Sequence, residues 1–340
     1  MNPFTFVPVS DVPGALRLAG EGTSFIAGGT NLIDLMKVNV QQPMRLVDIN
    51  RLGLAAIEPT AEGGLRLGAL ARNAATAWHP LVRERYPLLA TAILSGATAQ
   101  IRNMASNGGN LLQRTRCCYF YDIAMPCNKR QPGSGCSAIA GLARQHAILG
   151  ASAHCIATHP SDMCVALAAL AATVQVASAR GERTIPFADF HRLPGDRPDL
   201  DTTLAHDELI LALTLPPADG FRAHSVYLKL RERLSYAFAL VSVAAALDLD
   251  GGVIHAARVA LGGVAHKPWR DPAAEALLVG QPATDASFAR AADALLQGAV
   301  PQGTGEGSNA FKIPLARRAV VRALALASAG TVTNHAEDAP

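Results

Sequence analysis

All six cysteines of this 340-residue chain fall between Cys117 and Cys164. Thiols kept only as small core residues scatter along a sequence, so this crowding points to one local chemistry. Cys117, Cys118, Cys127, Cys136 and Cys155 lie in a stretch without helical or strand periodicity, rich in Pro, Gly and Asn. A long irregular segment inside a compact domain needs a tie. A disulfide is the tie of exported proteins, and the run Met1-Asn2-Pro3-Phe4-Thr5 has neither the basic nor the apolar region of a leader. Zinc usually takes close C-x-x-C pairs, which this segment lacks. An iron–sulfur cluster takes four thiolates at wider spacing, and the amides of Gly133, Ser134 and Gly135 are then expected to face its sulfide. Spacing alone leaves zinc and cluster level, with plain buried thiols third.

Two glycine turns are the other candidates for chemistry. Phe25-Ile26-Ala27-Gly28-Gly29-Thr30-Asn31-Leu32 reads as strand, turn and helix start. Paired glycines let a backbone approach a ligand, and unpaired amides at a helix start favour an anion. The pattern is not G-x-G-x-x-G, so no Rossmann site is expected. The second turn, Ala105-Ser106-Asn107-Gly108-Gly109-Asn110, follows a helical region and is able to meet the first. Two such turns are expected to hold two phosphates.

These turns need elements to carry them. Strands are expected at 4–9 and 46–49, a helix capped by Ser10 to about residue 19, and a hairpin across 56–69. Residues 73–102 read as helical, interrupted at His79-Pro80 and Tyr86-Pro87. A buried helix and strand span 162–176, and a strand at 208–215 ends in Pro216-Pro217. Strands at 225–230, 237–249 and 253–261 then precede helices near 271–279, 285–297 and 314–329. Segregated strands and helices indicate an α+β fold. The division expected is 1–218 with an insertion at about 113–157, then 219–330, then a disordered tail, 331–340.

Composition narrows the classes. Half the residues are hydrophobic, enough for a sizeable core, and the net charge of +3 is too mild to argue for nucleic acid. No apolar run reaches the roughly 20 residues that span a bilayer. No nucleophile–base pair or paired carboxylates stand out.

The two glycine runs, with Pro160-Ser161-Asp162, Tyr227-Leu228-Lys229-Leu230-Arg231 and Leu261-Gly262-Gly263-Val264-Ala265, resemble the FAD-binding subunits of the molybdenum hydroxylases, the xanthine dehydrogenase group. The cysteine segment resembles one subtype, the flavin subunit of periplasmic aldehyde oxidoreductases, through Leu111-Leu112-Gln113-Arg114-Thr115-Arg116-Cys117, Pro126-Cys127-Asn128-Lys129-Arg130, Gly133-Ser134-Gly135-Cys136 and Cys155 to Asp162. The resemblance implies a two-subdomain FAD fold of the vanillyl-alcohol oxidase type and a small C-terminal domain. It implies FAD held in extended form by Phe25 to Leu32, Ala105, Ser106, Gly108, Gly109, Asn110, Leu112, Ser161, Asp162 and Lys229. Asp162 would serve the ribose or adenine side. Lys229 would lie near the isoalloxazine, against the plainer alternative of a solvated lysine. It also implies a 4Fe-4S cluster on Cys117, Cys127, Cys136 and Cys155, with Cys118 a competitor for the first position and Cys164 not required.

The implied activity is electron exit. An aldehyde would be oxidised at a molybdenum cofactor on a large subunit, and electrons would cross 2Fe-2S centres on a small subunit to the FAD of this chain, in a heterotrimer. Export would rely on a signal borne by a partner; otherwise the complex stays cytoplasmic. The rivals are the flavin subunit of a 4-hydroxybenzoyl-CoA-reductase-like enzyme, where electrons flow inward, and a zinc-stabilised structural protein. Tyr119, Phe120 and Tyr121 are expected either to anchor a partner or to pack around the metal.

Overall fold

The computed structural model describes residues 1–331; the expected disordered tail lies outside them except for Thr331. The chain opens with β1 (Thr5–Pro8), α1 (Val12–Leu18), β2 (Thr23–Ile26), α2 (Leu32–Lys37) and β3 (Arg45–Asp48). The strands form a parallel sheet in the order β1-β3-β2. Parallel neighbours need a crossover, which α1 and α2 provide. The cap of α1 is Asp11, not the expected Ser10: its carboxylate accepts from the Gly14 amide at 2.6 Å, with a proline in the first turn.

Next come β4 (Ile57–Pro59), β5 (Leu65–Gly68), α3 (Asn73–Trp78), α4 (Pro80–Arg85), α5 (Pro87–Ser95), α6 (Ala99–Met104) and α7 (Asn107–Leu111). Pro80 and Pro87 each open a helix, because proline is tolerated only where its missing amide would have had no partner. The second glycine turn is thus a short helix. After α8 (Cys118–Tyr121), a single turn within the cysteine segment, the chain forms α9 (Asp162–Ala169), β6 (Thr173–Ser178), β7 (Gly181–Pro186), α10 (Phe187–Phe190) and β8 (Leu209–Leu215). A five-stranded antiparallel sheet results, in the order β4-β5-β8-β6-β7. Strand β8, far along the chain, sits at its centre and closes the unit.

The last part comprises β9 (Ser225–Leu230), β10 (Val241–Asp250), β11 (Val253–Gly262), β12 (Trp269–Arg270), α11 (Pro272–Ala276), α12 (Asp285–Leu295) and α13 (Lys312–Ala329). Its antiparallel sheet runs β12-β11-β10-β9. The expected strand from 237 begins instead at Val241, because Tyr236 takes a left-handed φ of 52° and residues 231–240 form a loop. The side-chain alternation of β10 faces two cores. Ala244 and Ala246 join Tyr227 and Ala260 against α5 and α9. Val243, Ala245 and Leu247 pack instead with Phe288 of α12 and Val320 of α13.

The cysteine segment is locked to the start of α13 and the residues just before it by polar contacts. Asn309 donates from Nδ2 to the carbonyls of His146 and Ala147, both at 3.1 Å. Lys312, fully buried, donates from Nζ to the carbonyls of His146 at 2.8 Å and Gly263 at 2.5 Å. Burial pushes this ammonium down to about 7. Between that value and the ordinary lysine range the unfolded chain binds a proton that the folded chain does not, so stability from this residue rises with pH, by at most about 1.4 kcal/mol per pH unit. The difference in thermal stability between wild type and Lys312→Met is therefore expected to move toward wild type as pH rises from 7. Melting curves across a pH series check this; a difference that does not change with pH would refute it.

Candidate functional site

The first glycine turn links β2 to α2. Among the described residues, no protein acceptor bonds the amides of Gly28, Gly29, Thr30, Asn31 or Leu32. The Nδ2 of Asn31 is buried and equally without a partner, while its Oδ1 accepts from the Arg114 amide at 2.9 Å. A concentration of N–H donors with no acceptor is the geometry that anionic oxygens satisfy. The two glycines have separate reasons. Gly29 has a φ of 70°, the left-handed region. At Gly28 an added Cβ would lie 1.9 Å from the Met104 carbonyl oxygen. That close approach seats the first turn on the end of α6, directly ahead of the second.

The second turn differs from expectation. Its Asn107 and Gly108 amides donate to the carbonyls of Ala71 (2.9 Å) and Ala69 (2.8 Å), and the Gly109 amide to Ser106 Oγ (3.2 Å). Those amides are spent on the fold, so this turn does not hold a phosphate by them. It supplies a smooth wall: nothing but Ser106 Oγ lies within 4 Å of a Cβ built on Gly109. Below it is a buried amide network that sequence reading missed. Asn107 accepts from Asn73 Nδ2 at 3.1 Å and Thr76 Oγ1 at 3.0 Å. Asn110 is likewise turned inward, giving Nδ2 to Asn73 at 2.7 Å and accepting from Ser161 Oγ at 2.5 Å. Ser106 and Ser161 cap α7 and α9.

Two cavities meet at these turns. One, of ≈ 440 Å³, is lined by all of Phe25 to Leu32 together with Ser106, Gly108, Gly109 and Leu112. The other, of ≈ 570 Å³, is lined by Ala105, Asn110, Ser161, Asp162 and Lys229 among others. Thr30, Asn31, Gly109 and Gln113 border both. The free amides therefore lie at the junction of two chambers. This fits an extended ligand with a pyrophosphate in its middle and a ring system at each end, so the residues present suit FAD.

Asp162 and Lys229 border the second chamber and also tie it to the C-terminal sheet. Asp162 accepts from Tyr227 Oη at 2.7 Å and from Lys229 Nζ at 2.8 Å, so both its oxygens are already engaged. It is a strut between α9 and β9, and each oxygen keeps a further lone pair with which to accept at the chamber wall. Lys229 also donates to the Ser95 carbonyl at 3.0 Å, and its side chain is only 5% exposed, which removes the solvated alternative.

The cysteines sort into two groups. Cys127 and Cys136 form an antiparallel bridge, and Cys117 packs with Cys127 on one side and Cys136 on the other. The Cys155 thiol beside Cys136 holds the Cys136 thiol below its ordinary range, whereas burial pushes Cys117 up to about 12. Four thiols thus converge from distant positions. Cys118 points outward and is exposed, and Cys164 is buried in the core with Ser161 as its neighbour. Among the described residues, no three of the four converging sulfurs lie within 4.8 Å of one another. A tetrahedral zinc with Zn–S bonds near 2.3 Å would set its sulfurs about 3.8 Å apart. No ready-made tetrahedral zinc cage is therefore present among these four thiols. Two of the three amides expected to face sulfide are used elsewhere: Ser134 donates to the Gln131 carbonyl at 3.1 Å and Gly135 to Asn128 Oδ1 at 2.8 Å. The aromatic trio packs inward. Phe120 is fully buried, Tyr121 donates to Asp34 at 3.0 Å, and Tyr119 lies against His146, whose Nε2 is 3.1 Å from Cys117 Sγ. No signal in the sequence had marked His146.

A family model described as the FAD binding domain in molybdopterin dehydrogenase matches residues 3–218, and one described as the CO dehydrogenase flavoprotein C-terminal domain matches 226–327. The chain belongs to the FAD-binding subunits of the molybdopterin dehydrogenases. Within that class it is 49% identical to the aldehyde oxidoreductase FAD-binding subunit PaoB of Escherichia coli, covering 97% of this chain and 99% of that one. It is 28% identical to the glyceraldehyde dehydrogenase medium chain of Sulfolobus acidocaldarius, covering 83% of each. The solved carbon monoxide dehydrogenase of Hydrogenophaga pseudoflava superposes with a TM-score of 0.74 at 26% identity, covering 96% of this chain and 98% of that one.

Gly29→Val is expected to lose FAD and about 1–2 kcal/mol of stability, because it forces a β-branched residue into the left-handed region. Flavin released from the purified protein measures the first, and denaturant unfolding the second. Stoichiometric FAD in this variant would rule out the first turn as the pyrophosphate site.

Proposed function

We propose that this chain is the FAD-carrying and 4Fe-4S-carrying subunit of a heterotrimeric molybdenum-containing aldehyde oxidoreductase, serving as its electron exit. The observation that carries the reading is the convergence of Cys117, Cys127, Cys136 and Cys155 beside a two-chambered FAD channel, in a chain 49% identical to an aldehyde oxidoreductase subunit over nearly its whole length. When bound, FAD would accept electrons delivered from 2Fe-2S centres of a small partner and pass them to an external acceptor, the substrate being oxidised on a large molybdenum subunit. This chain's own part is to hold that cofactor. The free amides of Gly28 to Leu32 and Asn31 Nδ2 bind its pyrophosphate. The wall at Gly109 fixes its path, and the Asp162–Lys229 pair keeps the second chamber aligned with the C-terminal sheet. Export, on this reading, depends on a signal carried by a partner, and fractionation of the assembled complex tests that.

The cluster assignment makes variants separable. Cys127→Ser and Cys136→Ser are expected to lose iron from this subunit, while Cys164→Ser keeps it, because only the first two remove a thiol from the cradle. Iron analysis of the three proteins decides; equal loss in all three would overturn the ligand set. The role is tested by assay. The chain alone, loaded with FAD, is expected to give no aldehyde:dye oxidoreductase activity, whereas the complex with its large and small subunits does. Turnover by the isolated chain would place substrate oxidation here and refute the electron-exit role.

A further inference from the structure

One carboxylate sits between the FAD channel and the thiol cradle. Asp201 lines the first chamber, in the segment joining α10 to β8, and its side chain is 30% exposed. Its Oδ2 accepts from Arg114 Nε at 2.7 Å, and its Oδ1 accepts from Lys129 Nζ. Each cation reaches a different cofactor site. The backbone amide of Arg114 donates to Asn31 Oδ1 and so fixes the residue whose Nδ2 stands among the free amides. Its guanidinium lies 4.8 Å over the ring of Phe120, which packs with Leu35 and Cys127. Lys129 follows Cys127 by two positions, is 2% exposed, and has the Pro198 carbonyl at 2.8 Å as its other acceptor. Exposed ion pairs contribute little, but removing one member of a buried pair strands the other. Here the stranded group would be an ammonium inside the cysteine segment.

We propose that Asp201 is a positioning residue for both sites at once, so that FAD at the glycine turn and a cluster on the four thiols each strengthen the other's binding. The inference rests on the FAD-and-cluster reading above. Its physical content is that Arg114 and Lys129 are held in register by one carboxylate: ordering Asn31 around a pyrophosphate fixes Arg114, which fixes Asp201, which fixes Lys129 beside Cys127. The linkage between the two affinities is reciprocal, and the rate of iron release reads one direction of it.

The test uses the assembled complex. Iron release from this subunit to a ferrous chelator is timed with FAD bound and after FAD has been removed by dialysis. In wild type, removal is expected to speed release about fivefold or more. In Asp201→Asn the two rates should coincide. Should that variant fail to fold, Asp201→Asn combined with Lys129→Met removes the stranded ammonium. It is expected to keep its iron and FAD content yet show no dependence of one on the other. Equal rates with and without FAD in wild type would overturn the coupling, as would full FAD dependence in the double variant. A wild-type subunit that holds FAD but no iron would instead refute the cluster reading, and the coupling with it.

Discussion

The contact between Gly28 and the Met104 carbonyl is the constraint on which the site depends. Any side chain at 28 would collide with that oxygen, so only glycine lets the parallel β1-β3-β2 unit close onto the helical unit. The same carbonyl accepts from Arg72 at 2.6 Å, and Arg72 also bonds Asn50 at 2.9 Å, at the foot of β3. One backbone oxygen thereby joins both glycine turns and the strand end behind them. Both chambers take their shape from this junction, because Thr30, Asn31, Gly109 and Gln113 are common walls.

The two turns look alike in sequence and behave differently because their amides meet different neighbours. The second follows a helix and immediately starts another, so Ala69, Ala71 and the Ser106 hydroxyl satisfy its donors. The first leaves a strand whose own pairing has ended, and among the described residues no acceptor reaches its donors. A glycine-rich run therefore indicates close approach, and its surroundings decide what approaches.

Much of the architecture was legible from local signals. Prolines marked where α4 and α5 begin, apolar runs marked β8 to β11, and thiol crowding marked the cradle. What escaped was whatever depends on contact between distant segments. Asp162 and Lys229 are 67 positions apart, and no spacing rule announces that they pair. Asn107, the first residue of α7, gave no sign that it would be fully buried with Asn73 and Thr76. Lys312 precedes the helix expected at 314–329 and carried no mark in the sequence, yet it is enclosed among carbonyls of the cysteine segment and the C-terminal sheet. Ser10 lost the capping position to Asp11, a one-residue difference that two adjacent capping residues cannot resolve locally.

The double-sided packing of β10 has a calorimetric consequence. A sheet with one wet face can be lifted from its domain intact, but here Ala244 and Ala246 belong to one core while Val243, Ala245 and Leu247 belong to the other. Melting either core exposes an apolar face of the same strand, so neither is a separate foldon. The two segments that distinct family models recognise should share a single heat-absorption peak: here the units of ancestry are not the units of cooperative unfolding.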